Sequence, residues 1–300
     1  MQKTKAAIVG YGNIGKGIYE ALISAPDMEI SGVILRDRTK AQEKGVPSGL
    51  KIAEDISELG KTDVAMLCIP SRSVPGAAEK LLAQGINTID SYDIHSDIFD
   101  VRERLGKAGK SGNSVAVIGA GWDPGIDSMV RGILEASAPK GLTYTNFGPG
   151  MSMGHTVAVK AIDGVKKALS VTIPIGTGLH RRMVYVELHD KEAFPAVSQA
   201  IKSDPYFVND ETHVFLVDDV AALQDMGHGV NMVRKGVSGT TDNQLFEFNM
   251  RINNPALTAQ IMVSAGRASM RLLPGCYTMI EIPVINLLPG EPEGIIRRMV

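Results

Sequence analysis

The feature that most constrains this chain is a glycine pattern at the end of a short apolar run. Ala6 to Gly10 reads as a buried strand, and Gly10-Tyr11-Gly12-Asn13-Ile14-Gly15 completes it with the spacing G-x-G-x-x-G. Ile14, Ile18 and Leu22 then recur at near-helical spacing. Strand, glycine turn and helix, inside a βαβ unit, are the context that a dinucleotide-binding turn requires. Gly10 permits the tight turn, Gly12 lets the backbone approach a pyrophosphate, and Gly15 lets the helix pack closely on the strand. The helix start presents unpaired N–H groups to the phosphates. The bland alternative is an ordinary glycine-rich turn, which the flanking strand and helix disfavour.

The same alternation continues downstream. Glu29 to Leu35, Val64 to Ile69, Ile86 to Ile89 and Val115 to Ile118 read as strands. Ser73 to Gln84, with Gly85 as C-cap, and Ser96 to Lys107 read as helices. This is the pattern of a parallel sheet with crossover helices. Near Gly121 the character changes. Leu142 to Phe147, Ala168 to Pro174, Met183 to His189, His213 to Val217 and Gln244 to Arg251 read as β segments, with short helical patterns such as Ala193 to Lys202 between them. Pro255 to Leu273 reads as a long helix, opened by Pro255 and stopped by Pro274-Gly275. The expected fold class is α/β: a Rossmann-type dinucleotide-binding domain over 1–121 and an α+β domain over 122–254 with a mixed, mostly antiparallel sheet. No repeat or flexible linker separates them, so a packed interface with a ligand cleft is expected.

Composition narrows the function classes. With 31 basic and 33 acidic residues the net charge is −2, which gives no global footprint for nucleic acid or an anionic membrane. No run approaches the ~18 apolar residues of a membrane span. Two cysteines, Cys68 and Cys276, are too few for a disulfide framework. The N-terminus lacks the features of a signal peptide. A soluble cytoplasmic protein without a metal site is expected.

The end of the second strand bears on the cofactor. Leu35-Arg36-Asp37-Arg38 places two arginines where an acidic residue would bind the ribose hydroxyls of NAD. Guanidinium groups fork onto phosphate oxygens, so Arg36 and Arg38 favour the 2′-phosphate of NADP over NAD. Asp37 complicates this, since it can accept from a hydroxyl. The stretch Cys68-Ile69-Pro70-Ser71-Arg72-Ser73 follows the third strand and would border the nucleotide crevice. A simple loop with an N-capping serine is the alternative.

A second set of motifs follows. Gly121-Trp122-Asp123-Pro124-Gly125 holds the single tryptophan of the chain. Asp123 and Pro124 also suit a helix start, as N-cap and first helical residue. Gly148-Pro149-Gly150-Met151-Ser152-Met153-Gly154-His155 is a loop too glycine-rich for mere connection. Gly227-His228-Gly229, Asn253-Asn254-Pro255 and Gly266-Arg267-Ala268 come later.

With these segments and Asp90-Ser91-Tyr92-Asp93-Ile94-His95, the chain resembles the meso-diaminopimelate D-dehydrogenases over nearly its whole length. The resemblance implies NADP-dependent oxidative deamination at the D-centre of meso-diaminopimelate, reversible as reductive amination with ammonia. It implies a homodimer whose second domain serves substrate binding and dimerisation, and a C-terminal segment, about 255–300, that returns to the first domain. It implies that Asp93 and Asp123 bind the reacting amino group, with Trp122 beside the reacting carbon. It places Met153 and Gly154 on the adjacent carboxylate, through backbone N–H groups. It places Thr172, Arg182, His228 and Asn254 on the distal L-centre, with Phe147 lining the pocket. Asp123 is the leading candidate for the base, ahead of His155.

The residue types suit a substrate with two amino groups and two carboxylates, which needs acids at one kind of group and Arg or N–H donors at the other. Bland readings remain: Asp93 as a cap of the next helix, Arg182 as a surface charge, His228 in a turn, Thr172 as a strand threonine. Only Ile173 to Arg181 separate Thr172 from Arg182, and Met153 stands where many members carry glutamine. Both features resemble the shorter branch of the family, which accepts other D-amino acids. The alternatives are another nicotinamide reductase, of dihydrodipicolinate or homoserine type, and a non-catalytic NADP-sensing protein.

Overall fold

The computed structural model describes residues 3–224 and 227–300. The chain forms two compact units, Met1–Val130 with Pro255–Val300, and Arg131–Asn254. The first unit opens with β1 (Thr4–Val9), α1 (Asn13–Ile23), β2 (Met28–Ile34), β3 (Ile52–Ala53), β4 (Val64–Leu67), α2 (Val74–Leu82), β5 (Asn87–Asp90), α3 (Ile98–Gly112) and β6 (Val115–Ile118). Helix α4 (Ile126–Ser137) carries the chain into the second unit. That unit holds β7 (Lys140–Phe147), β8 (Gly150–Met151), α5 (Met153–Lys160), β9 (Val165–Gly176), β10 (Leu179–Leu188), α6 (Phe194–Ser203), β11 (Glu211–Leu216), β12 (Gly227–Ser238) and β13 (Thr241–Asn253). The chain then completes the first unit with α7 (Asn254–Ser269), β14 (Gly275–Thr278), α8 (Val284–Leu287) and α9 (Pro292–Met299).

In the first unit a sheet of order β14-β6-β5-β4-β1-β2-β3 is parallel throughout. Every residue of β4 and β6 is buried, which is why they read as unbroken apolar runs. Alternate side chains feed two cores. Ile8, Met66 and Val117 pack with α1 and α7, while Ala7, Leu67 and Ile118 pack with α2 and α3. The strand order reverses between β1 and β4, so the ligand crevice of such a sheet opens at their carboxyl ends.

Helix α7 is buried on nearly every side, and the sequence shows no polar stripe there. Glycines let it approach: a Cβ on Gly17 would lie 2.9 Å from Ala259 Cβ, and one on Gly266 would lie 2.6 Å from Met66 Cε. Buried Arg267 ties the helix down. Its Nε and Nη2 donate to Asp27 at 2.5 and 2.8 Å, and its Nη1 donates to the Leu287 carbonyl at 2.9 Å.

The second unit carries two sheets, β11-β10-β9-β8 and β13-β12-β7. All their pairings are antiparallel except β10 with β11. The expected fold class holds, with the strands shared between two sheets rather than one. Strand β12 goes unread in the sequence, and His228 lies in it rather than in a turn. Its burial alternates from Val230 to Gly236, but the inward positions include Arg234 and Gly236, so no alternation of apolar and polar residues marks it, and its glycines serve close approach. A Cβ on Gly236 would stand 2.5 Å from the Lys140 carbonyl.

Three further expectations are corrected. The stretch from Gly148 to His155 is not all loop, since it contains β8 and the first turn of α5. Helix α3 runs past Lys107 to Gly112, where Asn113 caps it at φ 52°. Its glycines hid the continuation, yet Gly109 is needed because a Cβ there would meet the Gly275 and Ser114 carbonyls at 2.8 Å. The helix after Trp122 starts at Ile126, so Asp123 and Pro124 are not its cap and first residue. Residues 121–125 instead close a loop of their own, in which Gly121 N–H donates to the Pro124 carbonyl at 3.1 Å. Among the described residues no helix is long and apolar enough to cross a membrane.

Arg267→Ala should cost about 2–3 kcal/mol, since it strands a partly buried carboxylate and the Leu287 carbonyl. Arg267 holds the Asp27 carboxyl below the usual carboxylate range. The stabilisation is therefore present above that range and is lost as pH falls through the folded pKa. Urea unfolding at pH 7 and at pH 3 should show the gap between wild type and variant narrowing in acid.

Candidate active site

The nucleotide turn has the geometry that its glycines suggest. Gly10 sits at φ +91°, and a Cβ there would stand 2.5 Å from the Cys68 carbonyl. A Cβ on Gly15 would collide with the Gly10 carbonyl, whereas around Gly12 nothing lies within 4 Å. Gly12 is the N-cap of α1 and supplies no side-chain cap, so the first N–H groups of the helix are left to a ligand. These residues fit a dinucleotide pyrophosphate. The Tyr11 ring is in the core, while Asn13 is exposed and Ile14 half-buried.

At the end of β2, Arg36 is exposed and has no ion pair among the described residues. Arg38 pairs with Glu54 at 3.4 Å and Glu58 at 3.2 Å. Asp37 is turned onto its own loop, accepting from Thr39 N–H at 3.0 Å and Thr39 Oγ1 at 2.5 Å. That engagement holds its carboxyl low and competes with any ribose hydroxyl. After β4, Cys68 and Ile69 are half-buried, and Pro70, Arg72 and Ser73 are exposed. Burial pushes the Cys68 thiol pKa up, so it stays protonated.

Asp93 is exposed and does not cap a helix. Its Oδ1 accepts from Ser71 Oγ at 2.6 Å, which joins the loop after β4 to the loop after β5. Trp122 is 8% exposed, and Asp123 and Pro124 are half-buried. Beneath both loops lies Asp90, fully buried, whose carboxyl is pushed up to about 7 by desolvation.

In the second unit Thr172 and Arg182 face each other across the β9–β10 hairpin, so their short separation in sequence becomes direct register. Arg182 Nη1 donates to Thr172 Oγ1, and Arg182 Nε donates to Asp210 at 2.6 Å. Arg182 is a half-buried ion-pair partner and not a surface charge. Phe147 N–H donates to His180 Nε2 at 2.8 Å. Asp210 and His180 were not singled out in the sequence. Asp210 is 28 residues from the arginine it serves, and no local pattern marks it. His228 is buried, its Nδ1 accepting from Gly229 N–H at 2.8 Å. Burial and Arg182 lower the pKa of His155, His180 and His228 alike. Met153 and Gly154 open α5, whose N-cap Ser152 makes no capping bond and instead places its Oγ 2.7 Å from His155 Nδ1. The first N–H groups of α5 are thus suited to a carboxylate. Asn254 opens α7. No cluster of three or more His, Cys, Asp or Glu able to hold a metal occurs among the described residues.

Comparison with known proteins decides the family. A curated meso-diaminopimelate D-dehydrogenase of Bacteroides fragilis is 63% identical over 303 residues, covering all of both chains. The chain belongs to the meso-diaminopimelate D-dehydrogenase family. It is an oxidoreductase of the amino acid dehydrogenase kind, and its dinucleotide fold implies a nicotinamide cofactor. The family model for the diaminopimelic acid dehydrogenase C-terminal domain matches residues 121–181, and that of a CoA binding domain matches residues 1–92. A Corynebacterium glutamicum DAP dehydrogenase solved in complex with DAP superposes with TM-score 0.90 at 29% identity, over all of both chains. An engineered D-amino acid dehydrogenase bound to NADP+ superposes with TM-score 0.84 at 28% identity, again over both whole chains.

His155 should titrate near pH 4 rather than 6.5, because burial and the Arg182 charge both disfavour its cation. The unfolded chain takes up that proton first, so folded stability should fall as pH drops from about 6.5 to 4. An NMR titration of the imidazole C–H signals checks the first statement, and unfolding across that window checks the second.

Proposed function

We propose that this chain oxidises meso-2,6-diaminopimelate at its D-centre, with NADP+ and water, to L-2-amino-6-oxopimelate, ammonia, NADPH and a proton. The reaction runs in reverse as reductive amination. The observation that carries this is the full-length identity to the Bacteroides fragilis enzyme, and the placement of acidic and cationic groups supports it. We also propose that the enzyme works in the cytoplasm as a homodimer, with domains over 1–121 (completed by about 255–300) and 122–254.

The cofactor is held by the turn Gly10 to Gly15 and by Cys68 to Ser73, with Arg36 and Arg38 on its 2′-phosphate. Arg36 is the readier of the two, since Arg38 must share itself with Glu54 and Glu58. When bound, the nicotinamide ring supplies the hydride acceptor. Asp93 and Asp123 grip the reacting ammonium, and Asp123 removes its proton so that the nitrogen lone pair can assist loss of hydride. Ser71 holds Asp93 in place. Trp122 shields the reacting carbon. The N–H groups of Met153 and Gly154 take the adjacent carboxylate.

In the second unit Arg182, held by Asp210, takes the distal carboxylate, with Thr172, His228 and Asn254 around the L-centre and Phe147 against the carbon chain. His155, neutral near pH 7, suits packing against Tyr206 and Phe207 better than a catalytic role. The short β9–β10 hairpin and Met153 are features shared with the branch of the family that accepts other D-amino acids, so simple D-amino acids should also react.

The direct test is NADPH formation at alkaline pH with the meso isomer, beside the L,L isomer, D-alanine and D-lysine. Reduction with the meso but not the L,L isomer is expected, and no reduction with any of them would overturn the substrate assignment. Activity confined to the meso isomer would overturn the broader specificity. Asp123→Asn should lower kcat by about 100-fold or more with NADP+ affinity unchanged. Near-normal turnover would remove Asp123 from the proton transfer.

A further inference from the structure

Asp90 ends β5 fully buried, and the chemistry above does not use it. Its Oδ1 accepts from Tyr92 N–H at 3.0 Å and from Gly119 N–H at 3.4 Å. Its main-chain carbonyl accepts from Ala120 N–H at 2.7 Å. Tyr92 adjoins Asp93, and Gly119 and Ala120 lead directly into Trp122 and Asp123. One residue therefore anchors, from below, both loops that carry the groups assigned to the reacting end.

The two loops also press on each other. A Cβ on Gly119 would stand 3.1 Å from Pro124 Cγ and 3.5 Å from the Tyr92 carbonyl. Little slack is left, so a change in the anchor must be passed to the loops. The anchor has a cost. Asp90 Oδ2 is enclosed without a hydrogen-bond partner among the described residues, and a buried oxygen in that state is unfavourable. A carboxyl that is costly to the fold, set at the carboxyl end of a central parallel strand, is the kind of local conflict that collects at functional sites.

We infer that Asp90 is a positioning residue: by gathering the Tyr92 and Gly119 amides on one oxygen, it sets the placement of Asp93 relative to Trp122 and Asp123. This rests on the assignment of those three to the reacting end. Only Oδ1 is used, so the role belongs to the acceptor and not to the charge. Asparagine keeps that oxygen and the side-chain volume, while alanine removes both.

The test compares the full-length wild type with Asp90→Ala and Asp90→Asn. Trp122 is the only tryptophan of the chain, so its emission reports on one of the two loops without any turnover. Asp90→Ala should lower kcat with meso-diaminopimelate at least about tenfold, since displacements of about 1 Å in a reacting pair carry penalties of that order or more. It should leave the Kd for NADP+ within about twofold, shift Trp122 emission to the red and raise its quenching by acrylamide. Asp90→Asn should restore kcat to within about threefold and restore the Trp122 spectrum. If Asp90→Ala does not fold, Asp90→Ser, whose hydroxyl is too short to reach both amides, takes its place.

Unaltered kcat in the alanine or serine variant would overturn the inference. So would an asparagine variant as impaired as alanine, or a loss of kcat with Trp122 emission unmoved. A wild type that leaves NADP+ unreduced with meso-diaminopimelate would overturn the substrate assignment instead. The Trp122 signature would then decide by itself whether Asp90 holds the loop.

Discussion

The first unit depends on one close approach. The Cys68 carbonyl lies 2.5 Å from where Gly10 would carry a Cβ. Any larger residue would push apart the ends of β1 and β4, the pair between which the strand order reverses. The Gly10 carbonyl in turn occupies the space of a Gly15 Cβ, which fixes the start of α1. Gly17 on the same helix gives way to Ala259 of α7. Close contacts that only glycine permits thus run from the sheet through α1 to α7. They leave the N–H groups at the start of α1 aimed at the crevice, and the phosphate site follows from packing the unit at all.

How much of this was legible in the sequence depends on how local each signal is. The glycine turn could be read because three glycines, a strand and a helix lie within a few residues. The central strands could be read because burial on both faces makes them unbroken apolar runs. Strand β12 escaped because its buried positions include Arg234 and Gly236, so its alternating burial is not written in apolar and polar residues. The end of α3 escaped because Gly106, Gly109 and Gly112 look like helix breakers, yet Gly109 and Gly112 stand where neighbouring backbone leaves no room for a Cβ. The family motifs marked Thr172 and Arg182 but not the carboxylate that holds Arg182, because Asp210 reaches Arg182 across a parallel strand pairing that no short window reveals.

The same distinction applies to the charges. Two arginines after β2 invite a phosphate reading on residue type alone. The folded chain separates them, since Arg38 is already engaged by Glu54 and Glu58, and Glu58 also accepts from the Glu54 and Asp55 amides at 3.1 Å. A phosphate arriving there would meet one exposed guanidinium and one held by carboxylates. Its binding would have to reorganise an exposed ion-pair network, in which each pair is worth only about 1 kcal/mol or less. Such a network adjusts at small cost.

The two units differ in electrostatic character in a way that suits the proposed substrate. In the first, the residues assigned to the reacting end are carboxylates, with Asp93 fixed by a hydroxyl donor rather than by a cation. In the second, burial and the Arg182 charge hold three histidines toward the neutral form, so the formal charges at the centre of that group are Arg182 and Asp210. The guanidinium commits Nε to Asp210 and Nη1 to Thr172, and Nη2 makes no hydrogen bond among the described residues. Asp210 therefore orients Arg182 without exhausting it, and a planar carboxylate can still find donors on the free edge.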